Sequence, residues 1–286
     1  MHHEVVAPND GDPYVHGWTA LFGADFGTEP PVLERFGPAP APALRSSPGV
    51  ELFAPDGIEL APSSLAGEAG RLAWDLTFEH SGSGPSPLFT FPRWAWEREV
   101  LPAAQVVCVP SSPLSGSLLV DGKRVPLSPD ASGGLAHIYG HGSAERWGWL
   151  HADLGGGDVL EVVSAVSRRP GLRRLPPLAF VQLRLGGRDW PRDPLVAAPL
   201  FRTELRLPTW HVAGTVGRFR LRVDVNIEPS RAVSLSYTDP DGSTATCTNS
   251  EVADAEILLE RRSDAWQTVS SWSLQASAHS EIGTRP

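Results

Sequence analysis

The 286-residue sequence predicts an all-β protein. Three observations carry this reading. Apolar and polar residues alternate one by one over many short stretches, which is the period of a half-buried strand. Turn-forming sequences separate those stretches at short intervals, helped by 28 Gly and 28 Pro. No stretch supports a long amphipathic helix, whose apolar residues would recur every 3–4 positions. With 41 % hydrophobic residues the chain can fill one large core or two smaller ones.

Taken in order, the chain opens with a Pro-rich arm from Met1 to about Pro62, in which Phe36–Pro42 reads Phe-Gly-Pro-Ala-Pro-Ala-Pro. Proline fixes φ and removes a ladder donor. The arm is therefore expected to be mostly irregular, with short strands at Tyr14–Phe22 and Val50–Phe53, and to pack on the body through Trp18, Leu21, Phe22, Phe26 and Phe36. Arg71–His80 is the first clear strand: Leu72, Trp74, Leu76, Phe78 and His80 fall on one face, and Arg71, Asp75, Thr77 and Glu79 on the other. A turn at Ser81–Pro87 precedes an aromatic run, Phe89–Trp96, broken by Pro92. Ala103–Val109 reads as a buried strand. Ser115–Val120 and Lys123–Leu127 flank Asp121-Gly122, a hairpin turn in which both residues take positive φ.

The stretch Gly133–Asp153 is the most distinctive. It combines a Gly-rich loop carrying His137, Tyr139 and His141 with a strand in which Trp147, Trp149, His151 and Asp153 share one face. Further strands are expected at Val159–Val166, Leu178–Leu185, Leu200–Leu207, Thr209–Thr215 and Arg218–Ile227. Ala232–Tyr237 and Ser243–Thr248 flank the turn Asp239-Pro240-Asp241-Gly242. Asp254–Arg262 and Ala265–Trp272 close the sheet, and Ala276–Pro286 reads as a disordered tail. Many strands at regular spacing make a sandwich or a barrel.

Charge and composition narrow the function. The net charge of −9 argues against nonspecific nucleic-acid binding and against docking on an anionic membrane. The N-terminus lacks the basic-then-apolar pattern of a secretory signal, and no run approaches the 18 or so apolar residues of a membrane span. A cytoplasmic protein with two reduced thiols, Cys108 and Cys247, is the expectation, a bridge between them being the alternative. Four arginines between Arg168 and Arg174 form a solvated loop or an anion-binding rim. The sequence has no GxSxG, P-loop or GxGxxG motif, which leaves serine hydrolase, NTPase and Rossmann readings without support.

The run Gly116-x3-Val120-Asp121-Gly122-Lys123, then His137 and Gly140, then Trp147-Gly148-Trp149 resembles the centre of the lipocalin-like proteins of the AttH and carotenoid hydratase (hydroxyneurosporene synthase) family, and more weakly tocopherol cyclase. Tyr237, Asp239-Pro240-Asp241-Gly242, Cys247, Asn249, Glu251 and Asp254 resemble its second recurring element. The likeness runs from about Trp74 to Arg262. Tyr139 stands where such proteins often have Trp, His141 and His151 have no counterpart, and the arm before Trp74 has no matching motif.

The resemblance implies two tandem lipocalin-like antiparallel β-barrels: residues 1–112 as arm and first domain, 113–275 as the second, with a junction near Pro110–Pro113. It also implies a cavity for a hydrophobic small molecule and a reaction without an organic cofactor. On this reading His137, Tyr139, His151 and Asp153 are the catalytic candidates. Trp74, Trp94, Trp96, Trp147 and Trp149 are the substrate wall, offering aromatic faces to a developing cation. The leading expectation is a cofactor-free cyclase or hydratase acting on an isoprenoid or polyketide, by acid catalysis or by orientation alone. The alternatives are a carrier for an apolar molecule and a carbohydrate-binding sandwich. A structural reading stands beside each candidate: a satisfied buried His, Trp as core, Asp153 as a turn cap before Gly155-Gly156-Gly157. A metal site built from His137, His141, His151 and Asp153 is a further alternative.

Overall fold

The structure is a computed structural model and describes residues 1–23, 30–41, 52–54, 57–61, 63–79, 87–98, 103–142 and 144–286. Phe26, Val50, His80 and the turn at Ser81–Ser86 lie outside the described residues, as does the side chain of Trp96. Regular structure is nearly all strand, paired antiparallel, as the alternation predicts. No helix among the described residues is long and apolar enough to cross a membrane.

The chain divides into two compact units: Met1–Pro85 with Ser111–Gly134 and Asp239–Ser243, and Ser86–Pro110 with Leu135–Thr238 and Thr244–Pro286. This differs from the expected single junction near residue 112. The physical reason is strand β9 (Ala103–Val120), an unbroken strand of 18 residues that serves the second unit up to Pro110 and the first unit beyond it.

In the first unit, β1 (His2–Val6), β2 (Tyr14–Leu21) and β3 (Val32–Pro40) form a three-stranded sheet in that order. The described part of the N-terminal arm is thus largely sheet, not irregular. Its prolines are accommodated because β3 is an edge strand. Pro38 and Pro40 lie two apart, so their nitrogens point to one side of a strand that has a side free. A second sheet holds β4 (Leu52–Ala54), β5 (Ile58–Ala61), β6 (Ser64–Ala69), β7 (Leu72–Phe78), the later part of β9, and β10 (Lys123–Val125), ordered β10-β9-β7-β6-β5-β4. Asp121 and Gly122 between β9 and β10 take φ of 50° and 73°, the turn the sequence announced. Val15, Phe36, Ile58, Leu72 and Trp74 form the core of this unit.

The second unit begins with β8 (Leu88–Phe89), the short helix α1 (Arg93–Glu97) and the early part of β9. It continues through β11 (Ser132–Gly140), β12 (Ala144–Gly155), β13 (Asp158–Ser167), β14 (Leu178–Leu185), β15 (Arg188–Trp190), the helix α2 (Pro194–Ala197), β16 (Phe201–Glu204), β17 (Thr209–Val216), β18 (Phe219–Asn226), β19 (Val233–Thr238), β20 (Thr244–Arg262) and β21 (Trp266–Thr284). The sheet order is β15-β14-β13-β12-β21-β20-β18-β17-β16, with β19 also on β20. Strands from both ends of this order share one core: Val181 and Leu183 of β14 meet Phe201, Trp210, Leu221, Ile257 and Ala278. Burying these side chains on one face of every strand is the dominant stabilising contribution, at roughly 25 cal/mol per Å² of apolar surface.

Three expectations change here. The Gly-rich loop at Gly133–Gly140 is strand β11. The strands expected separately at Ser243–Thr248 and Asp254–Arg262 are one strand, β20, within which the register with β21 shifts between Ser250 and Ala255. Residues 276–284, expected as a disordered tail, are the inner half of β21. They pair with β12 from Arg146 to His151 and with β20, and they place Ala278 and Ile282 in the core. Their few apolar residues conceal a strand that is held from both sides. Deleting residues 276–286 should therefore unfold the second unit rather than trim it, abolishing the cooperative urea transition followed by Trp fluorescence. A truncated chain with an unchanged transition would show that β21 is dispensable.

Candidate active site

Strand β12 supplies the site through its alternation. Gly148, Leu150 and Ala152 turn into the core; Trp147, Trp149, His151 and Asp153 turn to the opposite face. Cross-strand partners share a face, so the register extends it. His151 lies opposite Glu161 on β13 and His279 on β21, Trp149 lies opposite Glu281, and Glu281 lies opposite Asn249 on β20. One face thus collects three carboxylates, two imidazoles and two indoles.

Glu161 is only 2 % exposed. Its carboxylate accepts from Trp149 Nε1 at 2.8 Å and is in contact with His151 Nδ1. Burial works against a charge on His151, but Glu161 outweighs it and raises the pKa. A second pair repeats the arrangement: His279 Nδ1 lies 2.9 Å from Glu251 Oε1, and the His279 ring meets Trp149 edge-on at 4.4 Å. For His279 too, burial opposes the charge and Glu251 raises the pKa above the ordinary value. Glu251, whose side chain is 44 % exposed, loses some solvation beside the sheet, but His279 outweighs this and holds it at about 2. Glu281 accepts from Trp147 Nε1 at 2.9 Å and from Asn249 Nδ2 at 3.3 Å. The Trp147 ring lies across Gly283: a Cβ there would approach Cζ2 to 2.0 Å, so only glycine fits beneath the indole.

Two buried polar atoms of this face, His279 Nε2 and Asn249 Oδ1, have no hydrogen-bond partner among the described residues. With Nδ1 engaged by Glu251, Nε2 is a donor in the charged form of the ring, which is the form Glu251 favours. Asn249 Oδ1 is an acceptor. The site therefore offers a ligand a donor at Nε2 when the ring is charged, and one neutral acceptor. Beside it, Val159, on the Glu161 face of β13, packs with Leu88, Val107 and Ala136.

The sequence candidates divide. His151, Trp147 and Trp149 are brought together as expected. Asp153 shares their face, but its carboxylate accepts from the Gly155 amide at 2.9 Å, the turn-capping role. On β11, Ala136 packs toward Val159, so His137 and Tyr139, on the opposite face of that strand, point away from this contact. Trp74 is in the core of the first unit. Trp94, on α1, is 53 % exposed. The four residues weighed for a metal are not gathered into a ligand set. Glu161, His279 and Glu281 were missed. Glu161 was legible as a lone carboxylate in the apolar run Val159-Leu160-Glu161-Val162-Val163. His279 and Glu281 lay in the supposed tail.

The fold and site define a nearly all-β protein with a polar, aromatic-walled face laid on an apolar core. A family model described as tocopherol cyclase-like matches residues 93–284, and the chain belongs to that family. Two relatives from Mycobacterium tuberculosis strains, the uncharacterized proteins MT0513 and Rv0493c, are each 48 % identical over the whole of this chain and 81 % of their own length. Among solved structures, CghA is similar with a TM-score of 0.49 at 15 % identity, over 99 % of this chain and 73 % of that one. A protein assigned as AttH from Nitrosomonas europaea has a TM-score of 0.49 at 12 % identity, over 98 % and 84 %. Of the two resemblances drawn from the motifs, the weaker one, to tocopherol cyclase, is the one whose family model matches.

Two outcomes follow from the paired charges. Trp149→Phe keeps the ring but removes a donor from buried Glu161, and should cost about 1–3 kcal/mol in urea denaturation. Glu251 is held at about 2 against an ordinary 4.5, so its contribution to stability is present above pH 4.5 and is lost as pH falls toward 2. His279, raised above 6.5, contributes fully below that pH and loses its contribution as pH rises through its folded value. Glu251→Gln should shift the His279 titration, followed by NMR of the ring protons, to lower pH. An unshifted titration would separate the two groups.

Proposed function

We propose that this protein is a cofactor-free cyclase or hydratase-type enzyme acting on a hydrophobic isoprenoid or polyketide, in a fold of two tandem lipocalin-like barrels. Family membership supports the reaction class. The observation that carries the assignment is the Glu251–His279 pair, whose free Nε2 is buried beside Trp149.

The electrostatics favour one chemistry within that class. A histidine whose pKa is raised is a weak acid, poorly suited to protonating an unactivated alkene. It is a strong donor to a carbonyl oxygen or a developing oxyanion. The reaction that suits it is ring closure of a substrate in which an oxygen gains negative charge. His279 Nε2–H polarises that oxygen, and Asn249 Oδ1 accepts from a neighbouring hydroxyl or amide of the substrate. Trp147 and Trp149 orient the apolar chain, so that much of the acceleration comes from placement. His151, held by Glu161, keeps Trp149 in register and adds positive charge near the same oxygen. Asp153 caps the turn after β12, and His137 and Tyr139 lie on the other face of β11, so this proposal gives none of the three a part in the chemistry. The unpaired thiols of Cys108 and Cys247 suit a reducing, cytoplasmic setting.

The test is incubation with a panel of prenylated hydroquinones, polyenes and linear polyketides, with product mass read by chromatography. A cyclase yields an isomer of unchanged mass, and a hydratase adds one water. His279→Gln should lower kcat by roughly 100-fold, the scale of a positioned proton donor, with a smaller change in KM; Asp153→Asn should leave both within about twofold. Panel compounds that bind but never change would make the protein a carrier. Binding of oligosaccharides and of no apolar compound would reject both readings.

A further inference from the structure

The chain is acidic overall, yet residues 168–206 hold nine arginines against Asp189, Asp193 and Glu204. The same span exposes apolar side chains. Of the eleven large hydrophobic side chains exposed among the described residues, seven fall between Leu172 and Leu207. A soluble surface does not ordinarily concentrate both.

The topology places two of these exposed loops at one end of the second unit. The segment between β13 and β14 follows Ser167 and leads into Leu178, which pairs with Ala165. It exposes Leu172 and Leu175 beside Arg169 and Arg174. Ser164, one pair further in, bonds Thr203 of β16 at 3.3 Å, and Gly148, paired with Ser164, touches Leu205. The loop that leaves β16 with exposed Arg206 and Leu207 is thereby anchored at this level. Two loops therefore present leucine and arginine together.

We infer that this end of the unit docks on an anionic lipid surface. Arginines would lie against phosphate headgroups while the interleaved leucines enter the interface, the two contributions that shallow membrane binding needs. The net charge of −9 does not oppose this, because charges beyond about 8–10 Å are screened at physiological salt and the local patch is cationic. A nucleic acid would use the arginines but leave the apolar side chains without a partner. The inference rests on the surface alone, not on the proposed reaction.

Flotation of the intact protein with vesicles tests it, using phosphatidylcholine alone and phosphatidylcholine with an equal part of phosphatidylglycerol. Binding is expected only to the anionic vesicles and should weaken as salt rises. Arg169→Gln and Arg174→Gln should each lower partition by roughly fivefold. Leu175→Ser with Leu207→Ser should lower it at unchanged charge. Circular dichroism of these surface variants should match the parent, and turnover of a soluble substrate should be unaffected, so failure here leaves the enzyme reading standing. Absence of flotation, or flotation unchanged by the substitutions, would overturn the inference. So would equal binding of duplex DNA with indifference to the Leu175 and Leu207 changes.

Discussion

A carboxylate buried in the middle of a strand constrains everything around it. Glu161 sits in β13 with nearly no solvent contact, and an ionised carboxylate in that position is tolerated only if its oxygens are bonded. Trp149 Nε1 and His151 Nδ1 supply those bonds from the adjacent strand. Both donors must then face Glu161, which fixes the register of β12 and turns Leu150 and Ala152 into the core on the other side. A slip of one residue would bury His151 in the apolar core and strand Glu161 unpaired. The polar face and the hydrophobic core are thus two consequences of one alternation.

The constraint propagates across the sheet. Trp149, held by Glu161, presents its edge to His279, and His279 is held in turn by Glu251. Trp147 lies flat over Gly283 because Glu281 takes its N–H. Cys247, in the same face of β20, is kept a neutral thiol by burial first and by Glu281 second, and so adds no nucleophile. The buried atoms of this face without a protein partner among the described residues are His279 Nε2 and Asn249 Oδ1. In a face otherwise paired so thoroughly, those two atoms mark where a ligand's polar group belongs.

How much of this was legible depended on whether the signal was local. Alternation within single strands was readable: β7, β12 and β18 lie where Trp74, Trp149 and Val223 indicated, and Asp121-Gly122 turns as its chemistry requires. The face of β12 was also readable, since Trp147, Trp149 and His151 share a side by period alone. Its partners were not. His279 and Glu251 reach the site through the pairing of β21 with β12, more than a hundred residues apart in sequence, and of β20 with β21, whose partners near the site lie about thirty residues apart, so no local window contains them. The β21 segment reads as a tail because small and polar residues dominate Ala276–Pro286, with Ile282 its one large apolar residue. On a strand paired on both sides such residues are held in the sheet, whereas in isolation they resemble a solvated tail. The prolines of β3 misled for a related reason: whether a strand is an edge is a property of the sheet, not of the strand.

The same distinction between local and summed properties governs the surface. Net charge describes the field at distances where salt has already screened it, and docking is decided within a few ångströms. Arg169, Arg174 and Arg206 sit on loops whose positions are set by Leu178, Thr203 and Leu205, each tied into the sheet beneath. The chain's acidic residues are numerous but lie mostly outside residues 168–206. An enzyme for apolar substrates faces a supply problem that its site cannot solve, because such molecules are scarce in water and concentrated in lipid. A cationic, leucine-bearing end on the unit that carries the site would address it by placing the protein where the substrate is dissolved. That role requires no change in the site itself, since the arginines and leucines occupy loops while His279, Glu251 and Trp149 occupy strands.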